Sequence, residues 1–383
     1  MFSLFIFLQK HKLTLLAVLF LSLPVTGCGS ADGDDGGGEP AGPVEPAGEK
    51  PESLPEFASL SIYNSTSPLN TRIPESMTVD QNSDAYIQKL ITGAGSSESL
   101  LIQVGQYSAT VFIADESTPR VDVQLPCGEF WEMGVNTLKD VPIPDYAVPA
   151  YDSDGEDAPI TKGVCAEESS QDNHMIIIDP INRCEYDFWQ TRKEDGHWVA
   201  SWGNAIELSD DGIYDKGLST RGSGFAFLGG MIWPDELVNG EINHALVFSY
   251  PFTKSGGPVA PATDSDGTIT DAFSLPEGAL VRLNPNLNLS ELNLSSSEMS
   301  IAKALQEYGM YLVDNGGDTG IALYAIDPES VASNPYEGLL PDEDYPLLQN
   351  IPLDELQVME LPAQDPNYQS NLDLVPNNCA SFQ

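Results

Sequence analysis

The chain has 383 residues, with 16 Lys and Arg set against 58 Asp and Glu, for a net charge of -42. So few cations exclude nucleic acid as a natural ligand, because phosphate binding rests on Lys and Arg, and they exclude electrostatic docking on anionic lipid. A surface this acidic suits salty water, where a Debye length of roughly 3 to 5 Å screens its self-repulsion.

In chain order, Lys10, His11 and Lys12 precede an apolar run from Leu13 to Leu23. That run has the length of a signal-peptide core and is short for a bilayer span. Val25-Thr26-Gly27-Cys28 follows. Residues 1–27 therefore resemble a bacterial lipoprotein signal peptide. The resemblance implies cleavage before Cys28, acylation of its thiol (palmitate among the chains) and stable lipid anchoring at the outer membrane or cell surface. The lipid is then the only membrane contact. Gly29, where Asp would signal retention, fits outer-membrane sorting. Residues 28–56 are Gly, Pro and acid with almost nothing to bury, so they cannot offset their ordering entropy and read as a flexible acidic tether.

Residues 57–361 read as a single all-β domain, a β-sandwich or jelly-roll-like fold with a few short helices. Strand-like alternation recurs at 100–107, 109–115, 121–125, 175–179, 197–202, 242–250, 279–283, 310–315 and 320–326, with turn residues between. Helices are expected at 82–95, at 233–240 with Pro234 near its start, and at 295–309. The last carries a capping-box pair, Ser295 and Glu298, an apolar stripe of Ile301, Ala304, Leu305 and Tyr308, and Gly309 as a stop. Residues 327–350 read as a long surface loop, IPLDELQVMEL as a last strand, and 362–383 as a tail that Cys379 could pin. Cys127, Cys165, Cys184 and Cys379 remain once Cys28 is acylated, and an even number in an exported chain implies two disulfides. Three connectivities are open; Cys165 with Cys184 is favoured because both flank one strand region.

NHMIIIDPINRCEYDFWQ, at 173–190, reads as two strands around the turn Asp179-Pro180-Ile181-Asn182. With SPLNTRIPESMTVDQNSDAYIQKL, the segment from SDDGIYDKGL to INHALVFSY, LPEGALVRL and IAKALQEYGMYLVDNGG, it forms five ordered blocks over about 67–326. Together they resemble a widespread, largely uncharacterised family of secreted bacterial and fungal proteins. The resemblance implies a shared site among His174, Tyr186, Trp189, Trp202, His244, Tyr308 and Asp314, and names no reaction.

The chemistry-bearing residues fit glycan. His174 and His244 suit proton abstraction near neutral pH, although a histidine on an apolar face, as alternation places His244 with Leu246 and Phe248, is usually a satisfied core group. Tyr186 shares a face with Phe188. Trp189, and Trp202 with Asn204 just beyond it, offer apolar platforms with polar edges. Arg221, in STRGSGFAFLGG, is a rare cation able to take a carboxylate or sulfate. That stretch has neither GxGxxG nor GxSxG order. DSDGED (152–157), DSDG (264–267) and DNGGD (314–318) supply hard oxygens, so calcium is the one cofactor the sequence suggests, and solvated turns are the plainer reading.

These residues lead to a secreted, marine-type lipoprotein, monomeric, whose partner is polysaccharide. The first expectation is a lyase on a uronic-acid-containing glycan, with His174 or His244 as base, Tyr186 as acid and Arg221 or Asn204 screening the carboxylate. The alternatives are a glycoside hydrolase with a carboxyl pair from Asp179, Asp187, Glu207 and Asp314, or a non-catalytic glycan-binding lipoprotein. Trp189, Trp202, Asn204, Arg221 and Tyr308 are the expected substrate contacts, and the lyase needs His174, His244 and Tyr186 to converge.

Overall fold

Alternating apolar residues build three sheets, and the central one is packed on both faces. The computed structural model describes residues 48–93, 99–152, 160–165, 169–215, 218–317, 320–369, 374–375 and 377–383. Its strands are β1 (Leu100–Gln103), β2 (Ala109–Ile113), β3 (Arg120–Gln124), β4 (Thr137–Pro142), β5 (His174–Asp179), β6 (Cys184–Trp189), β7 (Arg192–Glu194), β8 (His197–Val199), β9 (Trp202–Glu207), β10 (Leu246–Ser249), β11 (Leu280–Leu283), β12 (Met310–Asp314), β13 (Ile321–Tyr324), β14 (Leu347–Leu348) and β15 (Leu356–Val358). They order as β14-β1-β13-β10-β12-β11-β15, β2-β5-β6-β9 and β4-β3-β8-β7. The fold is all-β and sandwich-like. Its helices are short: α1 (Phe57–Leu60), α2 (Ser83–Gly93), α3 (Pro126–Phe130), α4 (Pro234–Asn239) and α5 (Ser296–Glu307).

Side-chain alternation explains the layers. Leu246, Phe248, Met310 and Leu312 of the seven-stranded sheet pack under Leu90 of α2 and Ile301 and Leu305 of α5. Their neighbours Val247, Tyr311 and Val313 point the other way and pack with Val111, Ile176 and Ile178 of the second sheet and with Phe225 to Leu228. The opposite face of the second sheet presents Met175, Ile177, Tyr186 and Phe188 to Val123, Leu138 and Val141 of the third. Each such side chain, fully buried, stabilises the fold by roughly 1.5 to 3 kcal/mol before entropy is counted.

The capping box is formed: Glu298 N–H donates to Ser295 Oγ at 3.2 Å and Ser295 N–H to Glu298 Oε2 at 2.8 Å. Gly309, at φ +77°, ends α5 where a side chain would be strained. Two expectations change. The strand expected from 242 begins only at Leu246, because His244 is held back by Glu236 of α4 and by its neighbour's carbonyl. The disulfides are Cys127–Cys165 and Cys184–Cys379, not Cys165–Cys184. Nearness in sequence misled there: Cys184 opens β6 on the face where the C-terminal segment packs, while Cys165 meets α3. The Cα separations, 4.5 and 5.6 Å, fall in the bridging range. Cys379 thus pins the tail, and Phe382 pairs with Leu138 of β4. Residues Pro46 to Gln383 make one compact unit. The expected signal segment, Cys28 and most of the expected tether lie outside the described residues.

Candidate functional site: an arginine fork beside an acid triad

The site lies between the seven-stranded sheet and the second sheet. β5 begins at His174, whose ring is on the same face as Ile176 and lies against Phe227, tilted by 35°, with centroids 4.0 Å apart. The guanidinium of Arg221 lies 4.3 Å from the centroid of Phe227 and 4.8 Å from that of Tyr324, the last residue of β13. Arg221 Nη1 donates to the carbonyl of Gly229 at 2.9 Å. Its Nε and Nη2, the two nitrogens of the side-on edge, make no hydrogen bond within the protein although the side chain is 0% exposed. That edge faces Asp314, the last residue of β12, with Nε to Oδ2 at 3.9 Å, an ion pair too long for a hydrogen bond. Asp314 takes the Gly222 N–H at 3.0 Å and the Tyr324 hydroxyl at 3.3 Å, and its side chain is 22% exposed.

Asp314 has two acidic neighbours. Oxygens of Asp266, Glu277 and Asp314 all lie within 4.8 Å of one another. The sequence DSDG therefore meets DNGG in space, with Glu277 between them unforeseen. Gly222 makes this approach possible, since a Cβ there would fall 2.8 Å from the Asp266 carboxyl carbon. Glu277 Oε2 accepts the Asp266 N–H at 3.1 Å. Burial and then the charge of Asp266 raise Glu277 well above the carboxylate range, and the same two causes push Asp314 up to about 7. On the other flank Asp172 takes the Trp189 indole N–H at 3.0 Å, and burial raises it to about 6. Burial lowers His174 to about 3, so its ring is neutral. Its Nδ1 is 3.2 Å from the Phe188 carbonyl, which places the proton there and leaves Nε2 with a lone pair.

A second acid pair supports Phe227 from beneath. Glu185 Oε1 accepts the Leu228 N–H at 3.0 Å, and Asp187 Oδ2 accepts the Phe227 N–H at 3.0 Å and the Tyr214 hydroxyl at 3.2 Å. The Tyr63 hydroxyl donates to Glu185 Oε2 at 2.6 Å. Burial raises both carboxyls, Glu185 well above the carboxylate range, with the charge of Asp187 adding to the rise.

Of the residues singled out in the sequence, His174, Arg221 and Asp314 fall in this region; Trp189 reaches it only through its indole N–H to Asp172 and packs against the core between the second and third sheets. The convergence of His174, His244 and Tyr186 does not occur. Tyr186 projects from the opposite face of the second sheet, among Met175, Ile177 and Phe188. His244 is buried beside Phe57, with Nε2 3.2 Å from Glu236; although burial opposes its charge, Glu236 holds it above its ordinary value. Asp179 caps its own turn by accepting the N–H groups of Ile181 and Asn182, and binds Arg120 at 2.6 Å. Glu207 accepts from Asn378 at 2.6 Å. Trp202 and Asn204 both donate to the Leu218 carbonyl, and Trp202 is buried against Trp131 and Phe382, so neither is an open platform. Tyr308 ends α5 beneath the Arg72 guanidinium. Asp152, from the first acidic cluster, accepts N–H groups of Tyr107, Asp172 and Asn173; residues 153–159 and Asp318 lie outside the described residues.

Asp172, Tyr324, Phe227 and Glu277 were not foreseen. Asp172 stands two residues before His174, a strand spacing that hinted at it, whereas nothing in LPEG marks Glu277. Against protein-family models, curated proteins and solved structures, the chain has no match.

Proposed function

We propose that this chain is a surface-anchored polysaccharide-degrading enzyme, a lyase that acts on a uronic-acid-containing glycan at Arg221. The observation that carries the reading is the bare side-on edge of Arg221, held between two aromatic rings. Nε–H and Nη2–H on that edge match the two oxygens of a carboxylate, the bidentate geometry for which Arg is suited. A buried guanidinium without that partner is costly, so the site is better explained with an acidic ligand than without one. In a chain with a charge of -42, one cation kept dry and aimed is the place where an anion is admitted.

In β-elimination a base takes the C5 proton, its electron pair forms the C4–C5 double bond, the C4–O bond breaks, and the leaving oxygen receives a proton. Pairing the carboxylate with Arg221 acidifies C5–H. His174, neutral with its lone pair on Nε2, is the base, and a carboxylate on Arg221 offsets the guanidinium charge that depresses the imidazole's basicity. Tyr324 gives the proton to the leaving oxygen in place of Tyr186. Trp189, half-buried and fixed by Asp172, offers a sugar ring its apolar face. Anchoring through Cys28, membership of the secreted family that the five blocks resemble, and action as a monomer complete the proposal.

The test is a screen of the full chain against uronate-containing and neutral polysaccharides. New ultraviolet absorbance from unsaturated uronate ends is expected with the acidic polymers alone. Reducing ends without absorbance would move the chemistry to hydrolysis by carboxyl groups. Retention without cleavage would make the chain a glycan-binding lipoprotein.

A further inference from the structure

We propose that Asp266, Glu277 and Asp314 together bind one divalent cation of the calcium type. The three carboxylates come from three separate segments, yet no two of their ligand oxygens are more than 4.8 Å apart. Calcium holds oxygens at roughly 2.3 to 2.6 Å, so opposite ligands stand about 5 Å apart; magnesium, at about 2.0 to 2.1 Å, draws them closer. An acidic cluster alone would carry no such inference. The second observation is Glu277 Oε1: the residue is 0% exposed, and this oxygen receives no hydrogen bond from the protein. A buried carboxylate oxygen left bare costs several times what an ordinary hydrogen bond contributes, and here it belongs to a side chain turned toward two more carboxylates. Asn315, next in the chain after Asp314, adds a second buried oxygen without a hydrogen-bond partner.

The rest of the site is built to hold these oxygens still. Asp266 N–H fixes Glu277 Oε2 and Gly222 N–H fixes Asp314 Oδ1. Asp266 is exposed and Asp314 partly so, which gives an ion its way in. Arg221 is the only cationic side chain that ion-pairs with any of the three among the described residues, and its Nε stands off at 3.9 Å. A cation on Asp314 releases the arginine edge for a ligand and stands beside it, so that a carboxylate would be taken by both. That use of the ion rests on the uronate reading; its binding does not.

The experiment is calcium titration of the full chain after chelator treatment, by calorimetry and by thermal unfolding, in about 0.5 M sodium chloride to screen diffuse binding. No glycan is present. The expected result is one tight calcium per chain and a higher unfolding temperature, with at least a tenfold weaker response to magnesium. Asp266→Asn, at an exposed position that tolerates the change, should lose that ion, and Glu277→Gln should lose it too if it folds. Calcium uptake and thermal shift equal in wild type and Asp266→Asn would overturn the site, as would a wild-type chain that does not respond to calcium. Uronate cleavage that survives in chelator would leave both the function and the binding site standing and overturn only the ion's part in taking the carboxylate.

Discussion

Arg221 is fixed by one nitrogen and open at two. Nη1 bonds the Gly229 carbonyl, and two rings clamp the plane. Lysine at this position would keep the charge and lose the fork. Arg221→Lys should therefore reduce uronate-polymer turnover on the order of 10²-fold while the unfolding temperature moves little, measured by initial rates and calorimetry. His174 makes a pH prediction. Its folded value, about 3, lies below the ordinary 6.5, so the unfolded chain binds the proton first as pH falls. The stability due to its neutral burial is full above about 6.5 and is lost toward 3, by up to about 1.4 kcal/mol per pH unit. The raised carboxyls act in the opposite sense, so the comparison is wild type minus His174→Gln. Denaturant unfolding between pH 7 and 4 should show a shallower acid loss in the variant.

The elements divide into those a local pattern specifies and those that need a distant partner. The β5–turn–β6 hairpin was legible because Asp179 caps its own turn and a short apolar run, Met175 to Ile178, precedes it. Helix α5 was legible because Ser295, Glu298 and Gly309 punctuate it. Replacing the cap, Ser295→Ala, should cost about 1 kcal/mol in chemical denaturation. What a local pattern could not supply was the pairing of ends. Asp314 meets Gly222 from 92 residues away, and Cys184 meets Cys379 from 195 away. Tyr186 misled for the same reason: its strand was read correctly, but only the third sheet, built from β3, β4, β7 and β8, reveals that its face is covered. Non-reducing peptide mapping should yield Cys127–Cys165 and Cys184–Cys379. The paired removal Cys184→Ser with Cys379→Ser should cost roughly 2 to 5 kcal/mol, since it frees the longer loop.

Over the whole molecule, 58 acidic residues face 16 basic ones. The surface repels anions, while one interior seam gathers a dry guanidinium, two near-neutral aspartates and a three-carboxylate cluster. Acid–base chemistry calls for perturbed groups gathered in this way. Under the proposed function, the acidic coat would repel anions generally and Arg221 would admit the one it can pair. The acid excess was legible in the sequence, and so were three residues that meet in this seam, His174, Arg221 and Asp314, but not the Tyr324 phenol beside them. Two tyrosines on opposite sides of the second sheet separate the alternatives. The decisive measurement is unsaturated-product formation from uronate polymer by Tyr324→Phe and by Tyr186→Phe, each checked for folding. Tyr324→Phe should lose on the order of 10²-fold in kcat with KM nearly unchanged, and Tyr186→Phe should stay within a few-fold of wild type. Loss in Tyr186→Phe with activity kept in Tyr324→Phe would contradict the account.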